Sequence, residues 1–152
     1  SAATQQIAEV TLLPSSRSFT VPPLGQRIDV EFGEQIAIRG LRTPIALPPP
    51  SELESELILD LVWQALDDPQ ADYSVSVQLL DAQGSPVSQV DLQLPGGSSS
   101  WVSEQVETQT VTLPIPPNFD NGQIIAAIYD AAAAGFPRLL RQDGTDFVFL
   151  VQ

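Results

Sequence analysis

The dominant hydrophobic period along the chain is two residues, the period of a β-strand with one buried face. In residues 27–32 (RIDVEF), isoleucine, valine and phenylalanine alternate with charged side chains. Residues 88–94 (SQVDLQL) and 108–113 (TQTVTL) repeat this alternation, and the β-branched residues in them favour strand over helix. Each segment is therefore predicted to be a strand with one face in the core and one in solvent.

Two further segments are apolar on both faces. They are residues 57–66 (LILDLVWQAL) and 123–130 (QIIAAIYD). Such a pattern predicts strands in the middle of a sheet, because both faces of a central strand can be covered. The remaining strand candidates bring the predicted number to about nine; they are residues 7–13, 35–41, 72–80 and 146–151.

Turn signals separate the predicted strands, and helix is scarce. Asp-Ala-Gln-Gly at 81–84 and Asp-Asn-Gly at 120–122 supply residues that tolerate positive φ. Residues 95–100 (PGGSSS) are predicted to form a flexible loop. Residues 51–57 have the spacing of a capping box and could add one helical turn. Residues 130–137 (DAAAAGFP) are predicted to form a turn or a short helical excursion, because a glycine and a proline end the alanine run.

Many short strands with two buried faces pack as two sheets. The predicted fold class is therefore all-β, an antiparallel two-sheet sandwich of immunoglobulin-like or jelly-roll type. Its 152 residues suit a single domain over 1–152, and the sequence contains neither an internal repeat nor a long linker. The first residue is Ser1 rather than Met, so the domain is expected to be part of a larger protein.

The composition restricts the chemistry that the chain could perform. Cysteine and histidine are absent and all six basic residues are arginine, so disulfides, thiolate metal sites, Ser-His-Asp triads and Schiff-base lysines are excluded. No cofactor is expected. The nineteen acidic residues would always supply some plausible pair, so their number does not indicate a glycosidase.

The net charge of −13 restricts the partners. An anionic surface repels phosphate backbones and anionic membranes, so no nucleic acid is expected to bind. No apolar run approaches the ~20 residues that span a bilayer, so this domain is not expected to insert into a membrane directly.

Two tryptophans have different sequence contexts. Trp63 is in strand phase with neighbouring leucines and is predicted to lie in the core. Trp101 follows Gly-Gly-Ser-Ser-Ser and precedes a polar stretch. It is expected either to plug the end of the sandwich or to stack on a sugar ring, and it is the candidate ligand-binding residue.

Acidic residues cluster in two turns, and loop carboxylates are common ligands of calcium. The calcium candidates are Asp67, Asp68 and Asp72 in the first turn, and Asp143 and Asp146 in the second. Neither turn has the full spacing of an EF-hand loop. The alternative is that these side chains belong to solvated turns and that the chain binds no metal.

From Val30 onward, strand and turn segments follow one another in a distinctive order. The segments are VEFGEQIAIRGL at 30–41, LILDLVWQAL at 57–66, LLDAQG at 79–84, the Gly/Ser loop before Trp101, VTLPIPPNFDNGQIIAAIYD at 111–130, PRLL at 137–140 and DGTDFVFL at 143–150. This order resembles a soluble β-sandwich domain of bacterial envelope proteins. In that family the domain often forms the C-terminal end of large multi-spanning membrane proteins, which resemble glycosyltransferases that use lipid-linked sugars.

The resemblance implies a function but no catalytic residues. It implies a non-catalytic accessory domain of a larger, membrane-anchored, glycosyltransferase-like protein. The domain would lie outside the cytoplasm, in the cell envelope or secreted, and would be tethered through that protein. The implied partner is a glycan or another envelope protein. Gln78 and Gln123-Ile124 depart from the family pattern, which has histidine before Leu-Leu-Asp and an aromatic residue after the glycine. The alternative function is a carbohydrate-binding module that uses Trp101.

Overall fold

Eight antiparallel strands in two four-stranded sheets form the part of the chain that the computed structural model describes, residues 17–152. The predicted all-β two-sheet sandwich is confirmed. The predicted strand at 7–13 lies outside the described residues, and each of the other eight predicted strands is present. The strands are β1 (Gln26–Phe32), β2 (Ile36–Leu41), β3 (Ser55–Ala65), β4 (Ser74–Leu80), β5 (Pro86–Gln93), β6 (Val106–Ile115), β7 (Gln123–Tyr129) and β8 (Val148–Val151).

The strand order is that of an immunoglobulin-like sandwich. Sheet one has the order β1-β2-β3-β6 and sheet two has the order β5-β4-β7-β8. Immunoglobulin domains pair strand B with E, C with F and F with G. The pairs β3–β6, β4–β7 and β7–β8 reproduce these neighbours, and β1 adds an outer strand to sheet one. Of the two sandwich types predicted, the topology therefore selects the immunoglobulin-like one.

The core lies between the two sheets, and burial follows the predicted alternation in β1 and β6. In β6, for example, inward residues are buried and the intervening threonines are exposed. Strand β5 departs from it: no residue of this edge strand is buried, and Leu92, predicted to face the core, is 37% exposed. The two segments that are apolar on both faces are central strands, as predicted: β3 lies between β2 and β6, and β7 lies between β4 and β8. The largest fully buried side chains are Trp63, Phe32, Ile36, Ile38, Leu41, Leu59, Leu61, Leu79, Leu94, Leu113, Ile124 and Ile128.

Neither of the two possible helical segments is a helix. At 51–57, the Ser51 hydroxyl accepts a hydrogen bond from the backbone N–H of Leu53 (3.1 Å), which closes a bend. Strand β3 begins directly afterwards, because Ser55 pairs with Ile115 of β6. Pairing across the sheet thus prevails over the local capping signal. Residues 130–137 form turns, one of the two outcomes predicted for them. No helix in residues 17–152 is long and apolar enough to cross a membrane.

A polar bridge crosses the core beside Trp63. The indole N–H of Trp63 in β3 donates to Oε1 of Gln109 in β6 (3.0 Å). The amide of Gln109 then donates to the backbone carbonyl of Gln93 in β5 (2.9 Å). Gln109 is buried, so its bond to Trp63 forms away from solvent, whereas its bond to Gln93 is partly buried. One glutamine therefore satisfies a buried tryptophan and ties sheet one to sheet two.

Replacement of Gln109 by an apolar residue of the same volume should destabilise the fold, because two hydrogen bonds are lost. Gln109→Met keeps the volume but leaves the Trp63 N–H and the Gln93 carbonyl unpaired, which is expected to lower the free energy of unfolding by about 1–3 kcal/mol. Urea denaturation monitored by circular dichroism measures the change. Thr108→Val, at an exposed position in the same strand, is the control and should change it by less than about 0.5 kcal/mol. Equal effects of the two substitutions would contradict the bridging role.

Candidate functional site

Trp101 closes one end of the sandwich. Its side chain is only 2% exposed and belongs to the hydrophobic core. Its indole N–H donates to the backbone carbonyl of Pro95 (2.9 Å). A sugar ring needs an open aromatic face, and Trp101 has none to offer. Of its two predicted roles, this position agrees with the plug and disagrees with the stacking platform.

The segment before Trp101, predicted to form a flexible loop over 95–100, contains a hydrogen-bonded turn. It forms a single 3₁₀ turn over Ser98–Ser100. The Ser98 hydroxyl is fully buried, donates to the carbonyl of Ala71 (2.6 Å) and accepts from the N–H of Tyr73 (2.8 Å). A buried hydroxyl with both partners satisfied fixes the loop against the start of β4.

Asp72 serves the same turn. Its Oδ1 atom accepts hydrogen bonds from the hydroxyl of Ser99 (2.5 Å) and from the backbone N–H of Ser99 (2.9 Å). These two bonds stabilise the charged carboxylate and hold the pKa of Asp72 below its usual value. Asp72 therefore caps a turn in this structure.

Asp67, Asp143 and Asp146 have local roles of the same kind, whereas Asp68 takes part through its backbone groups. Asp67 accepts from the N–H of Asp68 (2.8 Å), and Asp146 forms an ion pair with Arg138 (3.4 Å). Asp143 accepts from the hydroxyl and the N–H of Thr145; these bonds, with the charge of Arg141, lower its pKa. Within residues 17–152, no three acidic side chains come together as a metal site would require.

The outer face of sheet two carries a different set of side chains. The register of the β4–β5 pair places Gln78 opposite Gln89 and Ser76 opposite Asp91. Registration of β4 with β7 places Tyr129 opposite Ser74. Because strand residues of one parity share a face, these polar side chains form one surface.

Tyr129 reaches across this surface to Asp91. Its hydroxyl donates to Oδ2 of Asp91 (2.6 Å), and the side-chain amide of Gln89 donates to Oδ1 of the same carboxylate (2.6 Å). The hydrogen bond to Asp91 raises the pKa of Tyr129, and partial burial and the carboxylate charge raise it further. Two residues that are 38 positions apart in sequence are thus fixed together above β4.

The turn after β7 places an aromatic ring beside this group. Phe136 packs edge-on against Tyr129, with ring centroids 6.4 Å apart and planes at 78°. The turn is closed by a hydrogen bond from the N–H of Asp130 to the carbonyl of Pro137 (2.9 Å). Phe136 remains 63% exposed.

Together these residues surround a cavity of about 450 Å³. Its lining residues are Ser76, Gln78, Gln89, Asp91, Tyr129, Ala131, Gly135, Phe136 and Arg138. A larger cavity, about 750 Å³, lies beside Glu31 and Arg141, but no aromatic residue is among its described lining. The cavity under Phe136 therefore combines hydrogen-bonding groups with an open aromatic ring, and it is the candidate functional site.

The sequence contained only weak signals of this site. The outward positions of Gln89 and Asp91 follow from the alternation in β5, but nothing local indicated that Tyr129 would contact them. Phe136 stands between Gly135 and Pro137, and a large apolar side chain inside a turn was the one signal for an exposed ring.

Comparison with known proteins adds no relative. No protein-family model matches the chain, and no curated protein is significantly similar to it. The fold and the surface geometry define the class: an immunoglobulin-like sandwich whose outer face, in the part of the chain that the structure describes, carries a mixed polar and aromatic cavity.

The bond from Ser99 to Asp72 should make part of the stability depend on pH. Because the pKa of Asp72 is lowered on folding, its contribution is present above the unfolded value of about 3.9 and is lost as the pH falls through the folded value. Ser99→Ala should therefore lower the melting temperature at neutral pH, and the difference from the wild type should shrink below about pH 4.

Thermal unfolding between neutral and acidic pH measures this effect. Ser100→Ala is the matched control, because the Ser100 hydroxyl donates to the carbonyl of Gly97 (2.7 Å) and to no carboxylate. Its effect should be the same at every pH. A Ser99→Ala difference that does not change with pH would contradict the assignment.

Tyr129 should ionise at a higher pH than a free tyrosine, whose pKa is about 10. The hydrogen bond that raises this pKa stabilises the fold below about pH 10. This contribution should be lost as the pH rises through the pKa of Tyr129 in the folded protein. Asp91→Asn removes the charge and should bring the pKa of Tyr129 down. Phenolate absorbance in a Tyr73→Phe background, where Tyr129 is the one tyrosine left, measures it. Unchanged ionisation after Asp91→Asn would refute the pairing.

Proposed function

We propose that the chain is a non-catalytic accessory domain, located outside the cytoplasm, of a larger membrane-anchored protein similar to a glycosyltransferase. The observation that carries the non-catalytic part of this proposal is the use of four aspartates. Asp72 and Asp143 cap turns, Asp146 is paired with Arg138, and Asp91 holds Tyr129 and Gln89. These four carboxylates thus have structural partners.

The direction of the pKa shifts supports a non-catalytic role. A carboxyl group that acts as a general acid near neutral pH needs a raised pKa. Hydrogen bonds lower the pKa of both Asp72 and Asp143 instead. Both groups are therefore charged at neutral pH and have no proton to give.

The order of segments supports the envelope context. The strand that carries Trp63, the Leu-Leu-Asp-Ala-Gln-Gly turn and the Tyr129-Asp130 pair occur in the order of the envelope domain that the chain resembles. The immunoglobulin-like sandwich is shared by many cell-surface domains, although a fold alone supplies context and not function. An accessory domain of this kind would position the parent protein or recognise an acceptor.

Fractionation of the native cells tests the proposal. An antibody raised against this chain should detect a species larger than 152 residues in the membrane fraction, released by detergent but not by high salt. Protease added to spheroplasts should remove the epitope, because the domain is expected to face outward. A cytoplasmic marker protein provides the control for intact cells.

The opposite distribution would contradict the proposal. An epitope that stays in the cytosolic fraction and survives protease until the cells are lysed would exclude an extracytoplasmic accessory role. Turnover of a chromogenic glycoside or a sugar nucleotide by the purified chain would exclude the non-catalytic part separately.

A further inference from the structure

The cavity beside Phe136 has the composition of a ligand site rather than of an ordinary strand surface. We propose that it binds a neutral saccharide, with one sugar ring stacked on Phe136 and its hydroxyl groups bonded to Asp91, Gln89 and Gln78. This inference rests on the proposed accessory function being recognition of an acceptor, and it names the class of ligand that the domain would recognise.

The backbone at Phe136 is the first reason. Phe136 has φ of 49°, in the left-handed region that large side chains rarely adopt, and the preceding Gly135 has φ of 80°. Two consecutive left-handed residues lift the ring away from the strand and leave it 63% exposed. A bulky apolar ring that combines positive φ with exposure is unfavourable for folding, and backbone outliers of this kind cluster at ligand sites.

The hydrogen-bonding groups are the second reason. Asp91 has two carboxylate oxygens with about four acceptor positions, and Tyr129 and Gln89 use two of them. The amides of Gln78 and Gln89 add both donors and acceptors at the floor of the cavity. Sugars present adjacent hydroxyl groups that donate and accept, so amides and a fixed carboxylate are suited to them.

The charge of the site favours a neutral ligand. The one cation in the lining, Arg138, is already paired with Asp146. Asp91 is negative, and the whole chain has a net charge of −13. An anionic ligand would meet repulsion from Asp91 and would compete with Asp146 for Arg138.

The size and rigidity of the cavity fit a small ligand. Its volume of about 450 Å³ lies within the range of about 300–1,000 Å³ for small-molecule sites. Tyr129 ends a central strand, and its hydroxyl fixes the Asp91 carboxylate, so the polar groups are oriented before a ligand arrives. Such preorganisation reduces the entropy lost on binding.

Titration of the isotope-labelled chain with neutral sugars tests the site. The probes are glucose, galactose, mannose, N-acetylglucosamine and their short oligomers, followed by amide chemical shifts and calorimetry. We expect at least one of them to shift the amides of β5, β7 and the 130–138 turn. Phe136→Gly removes the ring and tolerates positive φ, so it should fold and weaken binding about tenfold or more.

Matched variants separate binding from folding. Asp91→Asn keeps the shape of the side chain and should also weaken binding about tenfold. Phe136→Tyr keeps an aromatic face and should retain binding. Phe19→Ala removes another exposed phenylalanine, 52% exposed and outside the cavity, and should leave the affinity unchanged. Melting temperatures of all variants report whether each one folds.

Two results would overturn the proposal. One is the absence of any shift in the cavity with every neutral sugar at about millimolar concentration. The other is binding that survives both Phe136→Gly and Asp91→Asn, since the sugar would then lie elsewhere. Neither result bears on the cell fractionation, so failure of the saccharide site and failure of the accessory role are distinguishable.

Discussion

The hydrogen bonds of Gln109 are the constraint on which the two-sheet arrangement depends. Trp63 is a fully buried side chain of the core, and its N–H cannot be left unpaired in an apolar interior without a substantial penalty. Gln109 meets that need from the neighbouring strand and then uses its amide to reach Gln93 in the other sheet. Apolar packing alone would hold the sheets together but would define their relative position less sharply, because it lacks direction.

A closed interior moves any recognition to the outer surfaces. The gap between the sheets is filled, and Trp101 and Ser98 seal one end of it. What remains are the solvent-facing sides and the turns. Strand β7 matters here because its inner face lies in the core while its last residue, Tyr129, projects onto the outer face of sheet two. The packing of β7 in the core therefore fixes the position of Tyr129 in the cavity lining.

The sequence predicted what depends on local pattern and missed what depends on pairing. Alternation along each segment was enough for the strands, the two central positions and the two-sheet class. It could not place Gln109 as a core residue, since a glutamine in phase with Val111 becomes acceptable only when the indole N–H of Trp63, on the neighbouring strand, reaches its side chain. It also could not bring Tyr129 to Asp91, because that contact depends on the registers of two strand pairs. The capping signal at 51–57 failed for the same reason: pairing with β6 took the backbone groups that a helical turn would have used.

Two aromatic residues in turns show why exposure, and not residue type, separates structural from recognition roles. Trp101 carries a polar N–H, and once that group has bonded to Pro95 the ring can be buried completely. Phe136 has no polar group that would keep its ring near solvent, so the hydrophobic effect favours its burial even more strongly. It is nevertheless held outward by a left-handed backbone. An arrangement that opposes both apolar burial and backbone preference is stable only because the turn around it is closed and Tyr129 supports one edge of the ring. Folding therefore does not explain why this face of the Phe136 ring is exposed, whereas a ligand that covers the face would explain it.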